Sequence, residues 1–387
     1  MKPKLFRITT IALSLLKLLD GQLSFMSRNG FEVTAIATPG AMLKEVQMKE
    51  FVKVKGFNLT RQITPLRDLF ALLQLTVYLL KEKPAIVHTH TPKAGLIGMI
   101  AAWLSRVPVR LHTVAGLPLL ETHGITRKVL DLTEKLTYAC AHEVYPNSKK
   151  MKEIIIENGF CSESKLKVVG NGSSNGIDTS VFDPSLFSEV VQASLKTALG
   201  IAQEDKVLCF IGRIVKDKGV NELVEAFINM SRANKQIKLL LVGPFERELD
   251  PLKKDVEEAI LNHSQIIFTD YQADIRPYLA ISDIFVFPSY REGFPNVVMQ
   301  AGAMGVPCIV SDINGCNEII ENGENGLIIT VKDSSAIEKA LASMLSNPKL
   351  LKNMAENSRS LIVQNYDQQF LWNALLQEYE RLLEIKG

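Results

Sequence analysis

Short apolar runs alternate with helical patterns along nearly the whole chain, and this alternation constrains the fold more than any other feature. The first half places strands at Leu5–Thr10, Glu32–Ala37, Ala85–His90, Val109–Thr113, Glu143–Pro146 and Leu166–Gly170. Helical runs lie between them, among them Leu66–Lys83, Gly95–Leu104 and Ile125–Ala141. The pattern lapses between Thr179 and Asp205. It then restarts with strands at Val207–Gly212, Lys238–Gly243, Gln265–Thr269, Ile284–Pro288, Pro307–Ser311 and Gly326–Ile329. Strands apolar on both faces need cover on both faces, which helices between parallel strands supply. At 387 residues the chain is long for a single core. The expectation is therefore an α/β protein of two doubly wound parallel-sheet domains, residues 1–185 and 186–366, facing across a cleft. Residues 367–387 form a helix crossing back to the first domain. Ligands of such sheets sit outside the carboxyl ends of the strands.

Charge excludes some partners. The 44 basic and 42 acidic residues leave a net charge of +2, which gives no indication of nucleic-acid binding. Lys2, Lys4, Arg7 and Lys17 concentrate positive charge early; this would suit an anionic membrane surface, although solvated lysines are the plainer reading. The cysteines Cys140, Cys161, Cys209, Cys308 and Cys316 include no C-x-x-C pair and sit partly in apolar runs. They read as reduced core residues of a cytoplasmic protein. The basic, apolar start resembles a signal peptide only faintly, because Lys17 interrupts it and Asp20 and Gly21 follow. No apolar stretch approaches the ~20 residues of a membrane span, so membrane contact is expected to be peripheral.

The segment Tyr290–Asp312, YREGFPNVVMQAGAMGVPCIVSD, combines a Glu-Gly turn, a helix start and a buried strand. The strand FVFPS leads into it, so Glu292 and Gly293 fall at a strand-to-helix turn. Backbone N–H groups at a helix start attract anions, and an ionised Glu accepts hydrogen bonds from sugar hydroxyls. A nucleotide-sugar site fits that pairing. In FIGRIVKDKGV, residues 210–220, Arg213 follows a buried strand through Gly212, and Lys218 precedes a helix. Two such cations can neutralise a diphosphate without a metal. VGNGSSNGID, residues 169–178, permits close backbone approach or is a plain linker. His88 and His90 share one face of a strand, a spacing that could suggest a metal pair, but no carboxylate or Cys ligand lies nearby, and His88 reads as structural. His112, at a strand's carboxyl end, is the better candidate for touching substrate. No metal-ligand set, Walker-A or G-x-S-x-G motif occurs.

Together these segments resemble the retaining family 4 glycosyltransferases of GT-B fold, and among them the bacterial capsule, lipopolysaccharide and glycan-assembly branch. HTHTPKAGLIGMIAAWLSRVPVRLHTVAGLP (His88–Pro118), NGSSNGID, GRIVKDKG and REGFPNVVMQAGAMGVPCIVSDINGCNEII carry the resemblance. It implies two Rossmann-like domains, the first for acceptor and the second for donor. It also implies that Arg213 and Lys218 hold the donor diphosphate, that Glu292 orients the donor sugar, and that Gly293, Phe294, Pro295 and Asn296 give backbone contacts. His112 would approach the transferring sugar, and Glu318 is a weaker donor-site candidate. The family's second Glu, eight residues after Glu292, is here Gln300, an uncharged ribose ligand. The Gly-Gly often found after the first strand is replaced by Thr9 and Thr10. The implied reaction retains α configuration by same-face attack, with the leaving phosphate helping to take the acceptor proton and domain closure excluding water. A UDP-sugar donor carrying a hexose or N-acetylhexosamine, a polyprenyl-diphosphate-linked saccharide acceptor at the cytoplasmic face of the inner membrane, and no cofactor or metal complete the expectation.

Three rivals remain. A GT-B-fold nucleotide-sugar epimerase would need acid/base carboxylates near the sugar. A dinucleotide oxidoreductase would need a G-x-G-x-x-G after the first strand, which is absent. A non-catalytic sugar-nucleotide-binding scaffold would show no turnover.

Overall fold

The computed structural model describes residues 2–60, 64–117, 119, 122–248 and 250–386; Pro118, at the end of one quoted segment, lies outside them. The chain divides into two compact units, residues 1–176 with 368–387, and residues 177–367. Each unit holds one six-stranded sheet whose strands all pair in parallel. In the first, β1 (Lys4–Ile8), β2 (Glu32–Ala37), β3 (Lys53–Gly56), β4 (Ile86–His90), β5 (Val109–Val114) and β6 (Glu143–Pro146) run in the order β3-β2-β1-β4-β5-β6. In the second, β7 (Lys206–Ile211), β8 (Ile237–Val242), β9 (Ile266–Phe268), β10 (Ile284–Phe287), β11 (Cys308–Ser311) and β12 (Gly326–Ile329) run β12-β11-β10-β7-β8-β9. Each order reverses direction beside the first strand of its unit, at β1/β4 and β7/β10, and ligands of such sheets bind at that switch point.

The apolar runs become the central strands because burial on both faces rewards them: β4 is buried at every residue, and β7 at all but Lys206. The helix Val220–Ala233 buries Val220, Leu223, Val224 and Phe227, a stripe at helical spacing, against the second core. No helix among the described residues is long and apolar enough to cross a membrane. The described cysteines are all free thiols.

Three local features differ from the sequence reading. Lys53–Gly56 is an edge strand with alternating exposure and no apolar run, so it left little trace in the sequence. Leu166–Gly170 forms no strand; Leu166 makes an isolated bridge to Val144, beside the edge strand β6. Residues 177–185 belong to the second unit, not the first. Ile177 lies in the second core and donates its N–H to Tyr366 O at 2.9 Å, while Arg359 Nη1 donates to Phe182 O at 2.8 Å. The helix Gln368–Lys386 belongs to the first unit, where Leu371, Trp372, Leu375, Tyr379 and Leu382 join its core.

Candidate active site

In the second unit, Lys218 and Glu292 meet although 74 residues separate them. Lys218 closes a short turn after β7, and Glu292 lies within the loop after β10; these two strands are neighbours in the sheet. The ammonium of Lys218 contacts Glu292 Oε1 in a salt bridge whose side chains are 15% and 16% exposed. Ser289 Oγ donates to the same Oε1 at 2.9 Å, and the Phe287 ring lies 5.8 Å from Lys218 Nζ. Gly219 makes this approach possible. It has φ +71°, and a Cβ there would lie 2.0 Å from Pro288 O. The Glu292–Gly293 turn is clamped by Asn314, whose Nδ2 donates to Glu292 O at 3.1 Å and Gly293 O at 2.6 Å. Gly315, φ +78°, lets that clamp seat: a Cβ would meet Gly293 O at 2.4 Å.

The remaining sequence candidates surround this pair unevenly. Arg213, 43% exposed, reaches Glu246 Oε2 at 2.7 Å; that hydrogen bond holds its pKa above the usual arginine value. Gly212 follows β7 directly and donates its N–H to Val242 O at 2.9 Å. Asn296 begins the helix Asn296–Ala303, which Pro295 precedes without a side-chain cap, so first-turn N–H groups face the loop. Phe294 is buried 5.5 Å from the Tyr366 ring and is a packing residue of that turn. Gln300 is half-buried on the same helix. Glu318 lies on the short helix Cys316–Ile319, where its carbonyl accepts from Tyr366 Oη at 2.8 Å. Ser289 and Asn314 escaped the sequence reading because their roles depend on contacts across the turn.

The structure does not place His112 at a substrate surface. Register pairs it with Thr89, so its ring shares the face of Thr89 and packs under the helices of the first unit. Nδ1 lies 2.8 Å from Thr89 Oγ1, a Cβ on Gly95 would meet Cε1 at 2.4 Å, and the residue is 2% exposed. Burial lowers its pKa to about 4. The opposite face of β1, β4 and β5 instead gathers Arg7, His88, His90 and Thr113, all buried. His88 lies between Tyr379 Oη at 2.6 Å and Thr113 Oγ1 at 2.7 Å, consistent with a structural histidine. Burial holds the pKa values of both His88 and His90 well below the usual range.

Two family models match the chain, glycosyl transferases group 1 over residues 191–361 and a glycosyl transferase 4-like domain over residues 22–172. The capsular polysaccharide biosynthesis glycosyltransferase CapM of Staphylococcus aureus is 31% identical over 385 residues, 98% of either chain. The chain belongs to the family 4 glycosyltransferases of GT-B fold. Within it, this glycosyltransferase falls in the branch of bacterial capsule and glycan assembly. The UDP-Gal:alpha-D-GlcNAc-diphosphoundecaprenol alpha-1,3-galactosyltransferase of Escherichia coli is 30% identical over 80% of this chain and 79% of its own. Anabaena HepE in complex with UDP superposes with a TM-score of 0.81 at 20% identity, over 98% of this chain and 100% of that one, and so shares the fold.

For this glycosyltransferase, the geometry of the second unit concentrates fixed charge at a strand-end loop cluster. Nearby carboxylates are already engaged: Glu292 by Lys218, Glu246 by Arg213, and Asp217 by Arg291 at 3.2 Å. Cations held in place by such partners need little reorganisation when negative charge develops beside them, which is the condition for electrostatic catalysis.

Proposed function

We propose that this glycosyltransferase moves a hexose or N-acetylhexosamine from a UDP-sugar to a polyprenyl-diphosphate-linked saccharide with retention of configuration. The observation that carries the reading is the Lys218–Glu292 contact, which places a cation and a hydroxyl-accepting carboxylate at one loop cluster at the carboxyl ends of β7 and β10. Lys218 and Arg213 supply positive charge to the donor diphosphate. Glu292 and the N–H groups at Gly293 to Asn296 orient the sugar, and Gln300 takes the ribose. The bond from the sugar's anomeric carbon to the diphosphate oxygen breaks as that from the acceptor oxygen forms on the same face. The acceptor proton passes to the departing phosphate. No metal takes part, because the two cations meet the developing charge. The donor and acceptor classes follow the names of relatives. The E. coli enzyme uses UDP-Gal and a diphosphoundecaprenol acceptor, and a Campylobacter jejuni relative, 30% identical over 76% of either chain, is an N,N'-diacetylbacillosaminyl-diphospho-undecaprenol alpha-1,3-N-acetylgalactosaminyltransferase.

Contact with the cytoplasmic face of the membrane has its own support. The helices Pro65–Glu82 and Gly124–Cys140 both pack on the helix Pro92–Leu104. They expose Leu69, Phe70, Leu73 and Val77 on one and Ile125 and Leu132 on the other. Their acids are paired or buried: Asp68 bonds Lys93, Glu82 bonds Lys4, Asp131 bonds Arg127, and Glu134 is in the core. Arg67, Lys81, Lys128 and Lys135 remain exposed. An apolar face rimmed by cations suits an anionic bilayer surface.

The test is transfer from UDP-sugars to an undecaprenyl-diphosphate-linked saccharide, with and without chelator. Transfer that survives chelation and is lost in Lys218→Ala supports the reading; full activity in that variant refutes the site. In flotation, the protein should rise with phosphatidylglycerol vesicles and not with phosphatidylcholine ones, and Phe70→Glu with Leu132→Glu should abolish this. Equal flotation of the double variant refutes the membrane face.

A further inference from the structure

The first unit contains a buried cation that forms no hydrogen bond to a carboxylate among the described residues. Arg7, on β1, is 0% exposed. Its Nε and Nη2 lie 3.2 and 2.9 Å from His90 Nε2, and Nη2 donates to Gln22 Oε1 at 2.5 Å. Guanidinium only donates, so His90 Nε2 is the accepting nitrogen and the neutral ring carries its proton on Nδ1. Both partners are therefore uncharged. Glu50 acts on Arg7 through space, but its oxygens accept from the backbone N–H groups of Gly21 at 2.7 Å and Ser24 at 2.9 Å. Arg7 Nη1 is buried and has no hydrogen-bond partner among the described residues.

Beside this guanidinium lies a cavity of about 20 Å³, lined by Arg7, His88, His90, Thr113, Ser173 and Ser174 among others. It exceeds the ~10–15 Å³ that one water-sized occupant needs and is far too small for a sugar ring. It stands near the carboxyl ends of β1, β4 and β5, where ligands of doubly wound sheets bind. A water would satisfy the hydrogen bond of Nη1 but leave the charge unmet, and a buried charge is costly unless it is paired.

We propose that this cavity is an oxyanion hole that takes one terminal oxygen of a phosphate group, donated to by Arg7 Nη1 and by the hydroxyls around it. The rest of the phosphate stays outside. Resting on the function proposed above, the phosphate belongs to the diphosphate of the lipid-linked acceptor. Gln22 acts as a positioning residue. Its Oε1 holds Arg7 while its Nε2 donates to Asn175 Oδ1 at 3.0 Å, and Asn175 in turn accepts from Trp372 Nε1 at 2.7 Å. The NGSSNGID segment thus acquires a role in holding the hole in shape.

The experiment is calorimetric titration of inorganic pyrophosphate into the full chain saturated with UDP, for wild type, Arg7→Gln and Thr113→Val. Wild type should bind, Arg7→Gln should lose roughly tenfold to a hundredfold in affinity, and Thr113→Val should lose several-fold. UDP affinity should stay unchanged in both variants. Should Arg7→Gln not fold, Thr113→Val carries the comparison. Absence of pyrophosphate binding in wild type, or equal binding in wild type and variants, overturns the hole. A kinetic arm separates the sources of phosphate. A raised KM for the undecaprenyl-diphosphate-linked saccharide in Thr113→Val, with donor KM unchanged, assigns the phosphate to the acceptor. Lost pyrophosphate binding with an unchanged acceptor KM overturns that assignment in favour of a free anion. Failure of UDP to bind would sink the donor reading and leave the comparison of variants readable.

Discussion

Breaking the Lys218–Glu292 pair from one side should destabilise the second unit, and removing both charges should largely restore it. Losing one partner of a fully buried pair costs about 3–5 kcal/mol, whereas an exposed pair contributes under about 1 kcal/mol. With side chains 15% and 16% exposed, the expected cost of Lys218→Met or Glu292→Gln is about 2–3 kcal/mol. Lys218→Met leaves Glu292 with Ser289 Oγ as its side-chain donor; Glu292→Gln leaves the ammonium over the Phe287 ring. The double variant holds no unmet charge and should lose about 1 kcal/mol or less, giving a coupling of roughly 3–5 kcal/mol. Both tryptophans, Trp103 and Trp372, lie in the first unit. Their fluorescence in urea therefore serves as an internal control that should not move. The second unit is followed by hydrogen exchange of the Lys206–Ile211 strand, read by mass spectrometry. UDP binding should be lost in Lys218→Met and in the double variant, although the double variant regains stability, which separates the stability of the pair from its function. Additive single effects, with a coupling below about 0.5 kcal/mol, would refute the reasoning.

Other outcomes follow from the same geometry. Gly219→Ala places a Cβ 2.0 Å from Pro288 O at positive φ; it should cost upwards of about 2 kcal/mol and weaken UDP binding, and an unchanged melting temperature would count against the described turn. Arg213→Ala, at a 43% exposed side chain, should leave stability within about 0.5 kcal/mol while lowering UDP affinity roughly tenfold to a hundredfold, as read by calorimetry. His112 has a folded pKa of about 4 against about 6.5 unfolded. Between those values the unfolded chain binds more protons, so its contribution is whole above pH ~6.5 and falls by about 1.4 kcal/mol per unit as pH drops. His88 and His90 act in the same direction. His112→Gln should flatten the loss of tryptophan-monitored stability between pH 6.5 and 5, and a slope equal to wild type would show that His112 titrates freely.

Much of the fold was legible because its signals are local. β4, β5, β7 and β10 are runs buried on both faces, and runs of that kind between helical stretches leave little but a covered parallel sheet. Lys53–Gly56 was missed because an edge strand is not obliged to be apolar. The loop cluster around Glu292 was also legible, since Glu292, Gly293 and the helix start at Asn296 are contiguous in the chain. Arg7 and Gln22 were not, because an arginine in a strand and a glutamine in a helix carry no sign of burial together.

By itself the sequence determined two doubly wound units, the placement of Arg213, Lys218 and Glu292 at strand ends, and the shared face of His88 and His90. Only the tertiary structure decided that Lys218 reaches Glu292, because that contact depends on β7 and β10 being neighbours. It also decided the face of His112. Side chains alternate along a strand with period two, so a sequence fixes parity within a strand. Parity between strands is fixed by register alone, and here register sets His112 beside Thr89 and turns it away from Arg7, His88 and His90.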